Sequence, residues 1–306
     1  MKSRNIAFLL AFLAALIYGV SFTVAKEVMP VYIRPFGFIL LRVLGATILF
    51  WTVGIFLKKE KIETQDYPRL LLGAVFGIAL NQLSFFKGLS MTTPINASVI
   101  MVSTPILVLI FSSFLIKEKA TKKKVLGIFI GMFGAVMLIV FGKNTEMASN
   151  ATLGNLLVFI NASSYGLYLI LIKNLTKKYH AITLAKWLYL FGLIMVLPFG
   201  FSELAVVDWN TMPLSIIYRV GFIIVFTSFL TYMFNLFAIK ELKPTTLSIF
   251  IYLQPVIASV YALFVGSDSL NVIKVTATVL IFIGVYLVTR KPKETFDSDD
   301  FNVSQD

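Results

Sequence analysis

Polar side chains recur at helical spacing inside the most apolar stretches of this sequence. The third such stretch carries Asn81, Ser84 and Phe85 on one helical face, with Gln82 beside them. Amides, hydroxyls and aromatic rings can hold a small polar solute by reversible hydrogen bonds and stacking, although contacts between membrane helices concentrate the same residue types. We expect the set as a whole to line a cavity. Its other members are Tyr18, Ser21 and Phe22; Asn161, Ser164, Tyr165 and Tyr168; Ser228, Tyr232 and Asn235; and Ser248, Tyr252 and Pro255.

Arg42 is the single residue with the most definite chemistry. It lies inside the second apolar stretch, about six positions or roughly 9 Å from one end at the rise of a helix. A guanidinium at that depth can bind a carboxylate or a phosphate through two parallel hydrogen bonds. It can equally reach outward to the interface or tie its helix to a neighbour, and these structural roles stay open. Lys87, which is nearer a helix end, is expected to reach the interface.

No familiar catalytic or metal-binding motif occurs in the chain. It lacks H-E-x-x-H, P-loop and G-x-S-x-G sequences, it has no cysteine, and its single histidine, His180, lies in a polar connection. No pair of carboxylates falls inside an apolar stretch. The sequence therefore predicts a protein that is not an enzyme, with no catalytic residues, no metal and no cofactor.

The elements that must position these side chains are membrane helices. Hydrophobic residues make up 58% of the chain and charged residues 14%, against about a quarter charged in soluble domains. Ten stretches approach the roughly 20 apolar residues that cross a bilayer as a helix. We therefore predict an all-α membrane protein with ten transmembrane helices, two of which would be bent by Pro105 and Pro255. The stretches are 6–25, 36–57, 70–89, 95–116, 125–141, 153–172, 183–201, 214–239, 245–265 and 273–289.

The distribution of basic residues predicts the orientation of these helices. The net charge of +12 comes from short clusters between apolar stretches, and no basic segment is interleaved with aromatic residues on a polar background. A nucleic-acid partner is therefore excluded. Alternate connections carry twenty lysines and arginines on one side and five on the other. Because basic loops stay in the cytoplasm, both termini are predicted to be cytoplasmic, in a multi-pass protein of the cell (inner) membrane.

The chain also repeats itself. A shift of 150 residues places Pro94 on Pro244, Ser98 on Ser248, Pro105 on Pro255, Glu118 on Asp268 and Gly134 on Gly284. An odd number of helices in each copy makes the two copies insert in opposite orientations, an arrangement found in transporters with a solute site between the halves. We predict a first five-helix repeat over residues 1–143, a second over 150–290, and a disordered acidic tail over 291–306.

The sequence resembles the EamA family of the drug/metabolite transporter superfamily. The first half does so through "FILLRVLGATILF", which contains Arg42, through "FFKGLSMTTPINASVIMVSTPILVLIFSSFLIKEK", and through the glycine-rich "KVLGIFIGMFGAVMLIV". The second half does so through "KPTTLSIFIYLQPVIASVYALF" and "TVLIFIGVYLV". Where the family often has Gly-Glu after the fourth helix, this chain has Lys117-Glu118. The resemblance implies a ten-helix bundle that exports amino acids or related metabolites by alternating access.

These observations lead to a secondary transporter of small polar metabolites, with amino acids as the expected solutes and export across the plasma membrane as the expected direction. The alternatives are an importer or exchanger of anionic sugar-phosphate-like or nucleotide-type solutes, and a membrane receptor or assembly factor that transports nothing. The lipid bilayer is the expected environment, and a glycine face on the fifth helix suits close helix packing or a homodimer. Predicted solute-binding residues are Arg42, Asn81, Gln82, Asn161, Tyr165, Tyr232 and Tyr252.

Overall fold

The structure is a computed structural model that describes residues 2–91, 97, 100–140, 151–264 and 272–289. No strand occurs in these ranges. Two helices contain a π-helical middle part, Val75–Ala79 in α3 and Ile223–Leu230 in α8, and α9 contains a 3-10 turn, Ile249–Tyr252. The helices are α1 (Lys2–Val28), α2 (Pro35–Ile55), α3 (Tyr67–Ala74, Val75–Ala79 and Leu80–Met91), α4 (Thr104–Leu115), α5 (Lys122–Val140), α6 (Ala151–Lys178), α7 (Ala181–Ala205), α8 (Leu214–Phe222, Ile223–Leu230 and Thr231–Glu241), α9 (Pro244–Ser248, Ile249–Tyr252 and Leu253–Phe264) and α10 (Val272–Thr289).

The helices confirm an all-α membrane protein. Helix is present in each of the ten predicted stretches, and six helices are long and apolar enough to cross a bilayer. Those six lie in α1, α2, α3, α6, α7 and α8, and shorter apolar helices lie in α4, α9 and α10. Ten crossings and cytoplasmic termini remain predictions. The predicted tail 291–306 lies outside the described residues, as do Pro94, Ser98, Asp268 and the side chain of Phe22.

The helix pairs that pack together are equivalent in the two halves of the chain. The helix α2 packs on α7, and α5 packs on α10. Helix α3 packs on α6. The equivalent helices of the other half are α8 and α1, and these two also pack on each other. The pair α4–α6 corresponds in the same way to the pair α9–α1. The first and second sets of five helices therefore occupy matching places, while the repeat boundaries at 143 and 150 stay predictions.

Each half also caps a helix of the other half. The Glu203 carboxylate, near the end of α7, accepts hydrogen bonds from the backbone N–H groups of Phe36 (2.7 Å) and Gly37 (2.9 Å) in the first turn of α2. Glu60, after the end of α2, accepts a bond of 3.0 Å from the N–H of His180 at the start of α7. The His180 ring in turn accepts from Ile182 N–H. Carboxylates at helix N-termini satisfy orphan donors and favour the helix dipole.

The glycine face predicted on the fifth helix is a contact within the chain. A Cβ added to Gly131 would lie 2.6 Å from the Tyr252 ring, and one added to Gly284 would lie 2.6 Å from the backbone of Gly131. Gly127 and Gly134 meet the backbone of α10 at similar distances. Close helix packing is therefore the role of this face, and α10 rather than a second copy of the chain occupies it.

The backbone conformation of Lys117 bears on the place where this chain departs from the Gly-Glu pattern. Lys117 has φ of 51°, and it is the one non-glycine residue with positive φ among the residues described. This left-handed conformation follows the end of α4, where glycine is favoured because a Cβ there costs about 1 kcal/mol. A glycine here would end the helix without backbone strain, and Lys117 ends it at this small cost in free energy.

We expect Lys117→Gly to raise the free energy of unfolding by about 1 kcal/mol, because it removes the left-handed strain of a side chain. The melting temperature of the purified protein measures this change. Lys119→Gly is the matched control, since Lys119 lies in the same connection and does not have positive φ. The explanation fails if both variants shift the melting temperature equally.

Candidate functional site

A pocket lies among α1, α6, α8 and α9. It is a half-open recess: its empty space of about 240 Å³ includes solvent at the mouth, and its interior has room for about one water molecule. Its walls come from the middle of α1 and α6, from the last turns of α8 and from the first half of α9, so it lies towards the end of the bundle that holds the N-terminus. It is lined by Ala11, Ala14, Ala15, Tyr18, Tyr165, Asn235, Leu247, Phe250, Ile251 and Gln254.

The wall of this pocket is uncharged. Asn235 and Gln254 contribute amides, and Tyr18 and Tyr165 contribute phenol rings. Three alanines of α1, at positions 11, 14 and 15, leave the space that larger side chains would fill. Such a wall can hydrogen-bond a polar solute and stack against it.

Two hydrogen bonds close the bundle one turn beyond Tyr18. Ser21 Oγ and Thr227 Oγ1 lie 2.5 Å apart and join α1 to α8. Arg42 Nε donates to Ser228 Oγ at 3.1 Å and joins α2 to α8. All four side chains are buried. These bonds form a polar layer beside the pocket, the closing layer, that joins α1 and α2 to α8.

Arg42 is enclosed, with 7% of its surface exposed, so it does not reach out to the interface as one sequence alternative proposed. Its guanidinium carbon lies 5.5 Å from the centre of the Phe86 ring and 5.9 Å from that of Phe38. Among the described residues it forms no salt bridge. A buried guanidinium without a carboxylate partner is costly, and the aromatic rings and one hydroxyl offset only part of that cost.

The two π-helical parts supply hydrogen-bond acceptors to the centre of the bundle. In α3, the carbonyl of Gly77 accepts from Tyr232 Oη at 2.8 Å, and that of Phe76 accepts from Ser164 Oγ at 2.6 Å. In α8, the carbonyl of Ser228 accepts from Tyr189 Oη at 2.8 Å. A π-helical turn interrupts the regular i to i−4 bonding, which leaves carbonyls for side chains of other helices. Nothing in the sequence pattern indicated these turns.

The structure brings some of the predicted residues together and separates others. Tyr165 lines the pocket, and Gln82 donates to the Tyr232 hydroxyl at 3.5 Å, the long limit of a hydrogen bond. Asn81 and Asn161 each donate to the other's backbone carbonyl, at 3.2 and 2.8 Å, and so join α3 to α6. Arg42 belongs to the closing layer. Solute contact by these residues stays a prediction.

Tyr252 is placed elsewhere. It is fully buried and its ring packs against Gly131 of α5, whereas the pocket is lined by its neighbours Phe250, Ile251 and Gln254. The 3-10 turn at Ile249–Tyr252 changes which side chains of α9 share a face, so regular helical spacing is a poor guide there.

Gln254 and the alanine face of α1 were missed from the sequence. Gln254 could have been identified as an amide inside an apolar stretch. A glutamine is as costly in hydrocarbon as the asparagines that the sequence analysis named. Pro105 lies in the first turn of α4, where a missing N–H has no partner to lose, and the predicted stretch 95–116 is interrupted by a turn at residues 102–103 just before it.

Comparisons with known proteins agree on one family. The model of the EamA-like transporter family matches residues 5–140 and again residues 152–290. The uncharacterized transporter YyaM of Bacillus subtilis is 29% identical over 80% of this chain and 81% of its own. A WAT1-related protein of Arabidopsis thaliana is 25% identical over 87% of this chain and 74% of its own. A crystal structure 18% identical in sequence superposes with a TM-score of 0.75 over 94% of this chain and 97% of the other, which supports the fold alone.

The π-helical part of α3 depends on Gly77. A Cβ at this position would lie 2.3 Å from the ring of Tyr168, which is buried. We expect Gly77→Ala to lower the free energy of unfolding by roughly 1–3 kcal/mol, as overpacking does, because the ring or the helix must move. The same shift disturbs the bond from Tyr232 to the Gly77 carbonyl.

Thermal unfolding of the purified protein measures this effect, with Gly221→Ala as the control. Gly221 is also in a membrane helix, but nothing lies within 4 Å of an added Cβ. Its replacement should leave stability unchanged or raise it by up to about 1 kcal/mol through helix propensity. Equal behaviour of the two variants would contradict the packing argument.

Proposed function

This chain belongs to the EamA-like transporter family and is a membrane transporter, and we propose that it is a secondary carrier that exports small polar metabolites, with amino acids as its solutes. The proposal rests on the polar pocket that lies towards the end of the bundle holding the N-terminus, beside the Ser21–Thr227 and Arg42–Ser228 bonds, which we take as the barrier on its other side. A binding site with access from one side at a time is the requirement for alternating access.

In the proposed mechanism the two inverted five-helix repeats rock against each other around the pocket. The amides of Asn235 and Gln254 hydrogen-bond the solute, and the rings of Tyr18 and Tyr165 stack against it. As the layer at Ser21–Thr227 opens, the free N–H groups of Arg42 receive the solute carboxylate, which compensates the buried charge. Gln82, Tyr232, Asn81 and Asn161 rearrange their hydrogen bonds during the same movement.

We propose that the pocket of this structure faces the cytoplasm and that the protein resides in the cell membrane. The half of the bundle that holds the pocket also holds the N-terminus and the lysine-rich connection between α4 and α5. Because basic connections remain in the cytoplasm, this half is the inner one. A solute entering from the cytoplasm then leaves outward past Arg42, which is the direction of export.

The two alternative functions have weaker support. An exchanger of sugar phosphates needs a second buried cation beside Arg42, and the candidate from the sequence, Lys87, is exposed. None of the described residues that line the pocket is charged. A receptor without transport does not need a pocket with one closed side. Competition between amino acids and phosphate esters for uptake into liposomes separates the first alternative from the proposal.

Replacement of Arg42 tests the carboxylate contact. We expect Arg42→Ala to reduce counterflow in reconstituted liposomes about 100-fold, the effect of losing hydrogen bonds to a charged group worth roughly 3 kcal/mol. Arg42→Lys, which keeps the charge but not the forked donors, should recover a part of the activity. Arg34→Ala is the control, because Arg34 is exposed before α2.

Ser228→Ala distinguishes solute binding from a purely structural tie between α2 and α8. It removes the acceptor of the bond from Arg42 and leaves the guanidinium in place. If Arg42 binds solute, Ser228→Ala retains transport while Arg42→Ala loses it. Equal loss in both variants, at normal yield and melting temperature, would rule out the carboxylate contact.

The absence of cysteine makes access to the pocket measurable. We expect a cysteine introduced at Gln254 to react with a charged thiol reagent applied from the cytoplasmic side, and we expect transported solute to slow this reaction. Ala46→Cys is the control, since Ala46 is fully buried in the core between helices. Reaction at neither position, or reaction without protection by any solute, would support the receptor alternative.

A further inference from the structure

A buried hydrogen-bond network joins the connection after α4 to the first turn of α9. The Glu118 carboxylate is 8% exposed, and its Oε1 accepts from Lys124 Nζ at 2.6 Å and from Thr245 Oγ1. Lys124 Nζ also donates to Thr245 Oγ1 at 3.0 Å. This three-residue network fixes the α4–α5 connection, the start of α5 and the start of α9 against one another, and α9 forms one wall of the pocket.

Several lysines lie close to this network along the chain but are not part of it. Each lies within two residues of Glu118, Lys124 or Thr245, and two residues of chain span at most about 7 Å. All are exposed, and none takes part in a salt bridge among the described residues. Five lysines therefore lie on or near the α4–α5 connection. They are Lys117, Lys119, Lys122, Lys123 and Lys243.

Little negative charge offsets this basic cluster. Glu118 is buried and already paired with Lys124, and the other acidic side chain near these lysines along the chain is Glu241, an exposed carboxylate. The α2–α3 connection differs, since its three lysines, at 58, 59 and 61, alternate with Glu60, Glu63 and Asp66. There the hydrogen bond from Lys178 lowers the pKa of Glu63, so this carboxylate stays ionised. The basic cluster has more exposed lysines and fewer carboxylates beside it along the chain, so it is the better site for an external anion.

Apolar side chains directly beside the cluster indicate what kind of anion fits. Phe114 and Leu115, at the end of α4, are 81% and 59% exposed, and Leu126, in the first turns of α5, is 55% exposed. In a membrane helix such side chains face acyl chains. A phosphate on the lysines with hydrocarbon on the adjacent side chains is the geometry of a phospholipid, and a soluble anion would use only the lysines.

We propose that this basic cluster, together with Phe114, Leu115 and Leu126, is a binding site for an anionic phospholipid. The headgroup phosphate contacts the lysines and the acyl chain lies along the apolar side chains. The bound phosphate links lysines of the α4–α5 connection, the start of α5 and the segment before α9, and so stabilises the Glu118–Lys124–Thr245 network and the position of α9. This site is separate from the solute pocket, and it does not depend on which solute is carried.

Titration of phosphatidylglycerol into the purified full-length protein, followed by its melting temperature, tests the site. The wild-type protein should be stabilised in a saturable way, whereas phosphatidylcholine should have no effect. A surface lysine contributes about 1 kcal/mol to binding an anionic membrane, or roughly fivefold in affinity, so Lys119→Gln/Lys122→Gln/Lys123→Gln should weaken the apparent affinity about 100-fold. The matched control Lys58→Gln/Lys59→Gln/Lys61→Gln should retain wild-type affinity.

Two outcomes would overturn the proposal. Equal weakening in both triple variants would mean that the lipid responds to overall charge and not to this site. Stabilisation by soluble glycerol phosphate, at concentrations similar to those of the lipid, would mean that the cluster binds a free anion. Because the variants replace exposed side chains, they should match the wild-type melting temperature when phosphatidylcholine is the only lipid, and a transport defect alone would not affect this measurement.

Discussion

Polar groups in the hydrocarbon layer must find their hydrogen-bond partners inside the protein, and this constraint governs the interior of the bundle. The described helices meet it by bonding side chains of one helix to backbone carbonyls of another. Tyr232 and Ser164 donate to carbonyls of α3, and Tyr189 donates to a carbonyl of α8. The acceptors are available because both helices contain π-helical parts. Polar residues of the interior therefore act first as joints between helices.

The pocket lies where the helices are not joined in this way. Between α1 and α9 the small side chains of Ala11, Ala14 and Ala15 leave a gap, and one turn further along α1 Ser21 meets Thr227 directly. Small residues usually let membrane helices approach closely, as Gly131 and Gly284 do between α5 and α10. Along α1 they instead border a space with amides on its far side. The same residue type thus produces contact or cavity according to the helix it faces.

Arg42 connects the stability of the bundle to its proposed activity. A buried cation without a counterion raises the energy of the empty protein, and an anionic group that reaches it lowers that energy. The hydroxyl of Ser228 and the rings of Phe38 and Phe86 hold the side chain in the closing layer. Positive charge is also in excess in the basic cluster at the surface. Its free-energy cost there is smaller, because exposed ammonium groups remain hydrated. In both places, excess positive charge marks where a negative group can bind.

The sequence by itself determined the helices, the membrane environment and the family, because twenty-residue apolar stretches have few physical solutions. It placed Arg42 inside a helix, and the structure decided that its side chain is buried. The sequence also identified Tyr18, Tyr165 and Asn235, which do line the pocket. Only the tertiary structure decided that Gln254 joins them, that Tyr252 faces α5, and that Asn81 and Asn161 bond to each other's backbone. Spacing along a helix shows which residues share a face, but the π-helical and 3-10 turns rotate that face. The neighbouring helix then determines whether a polar group meets a partner or an open space.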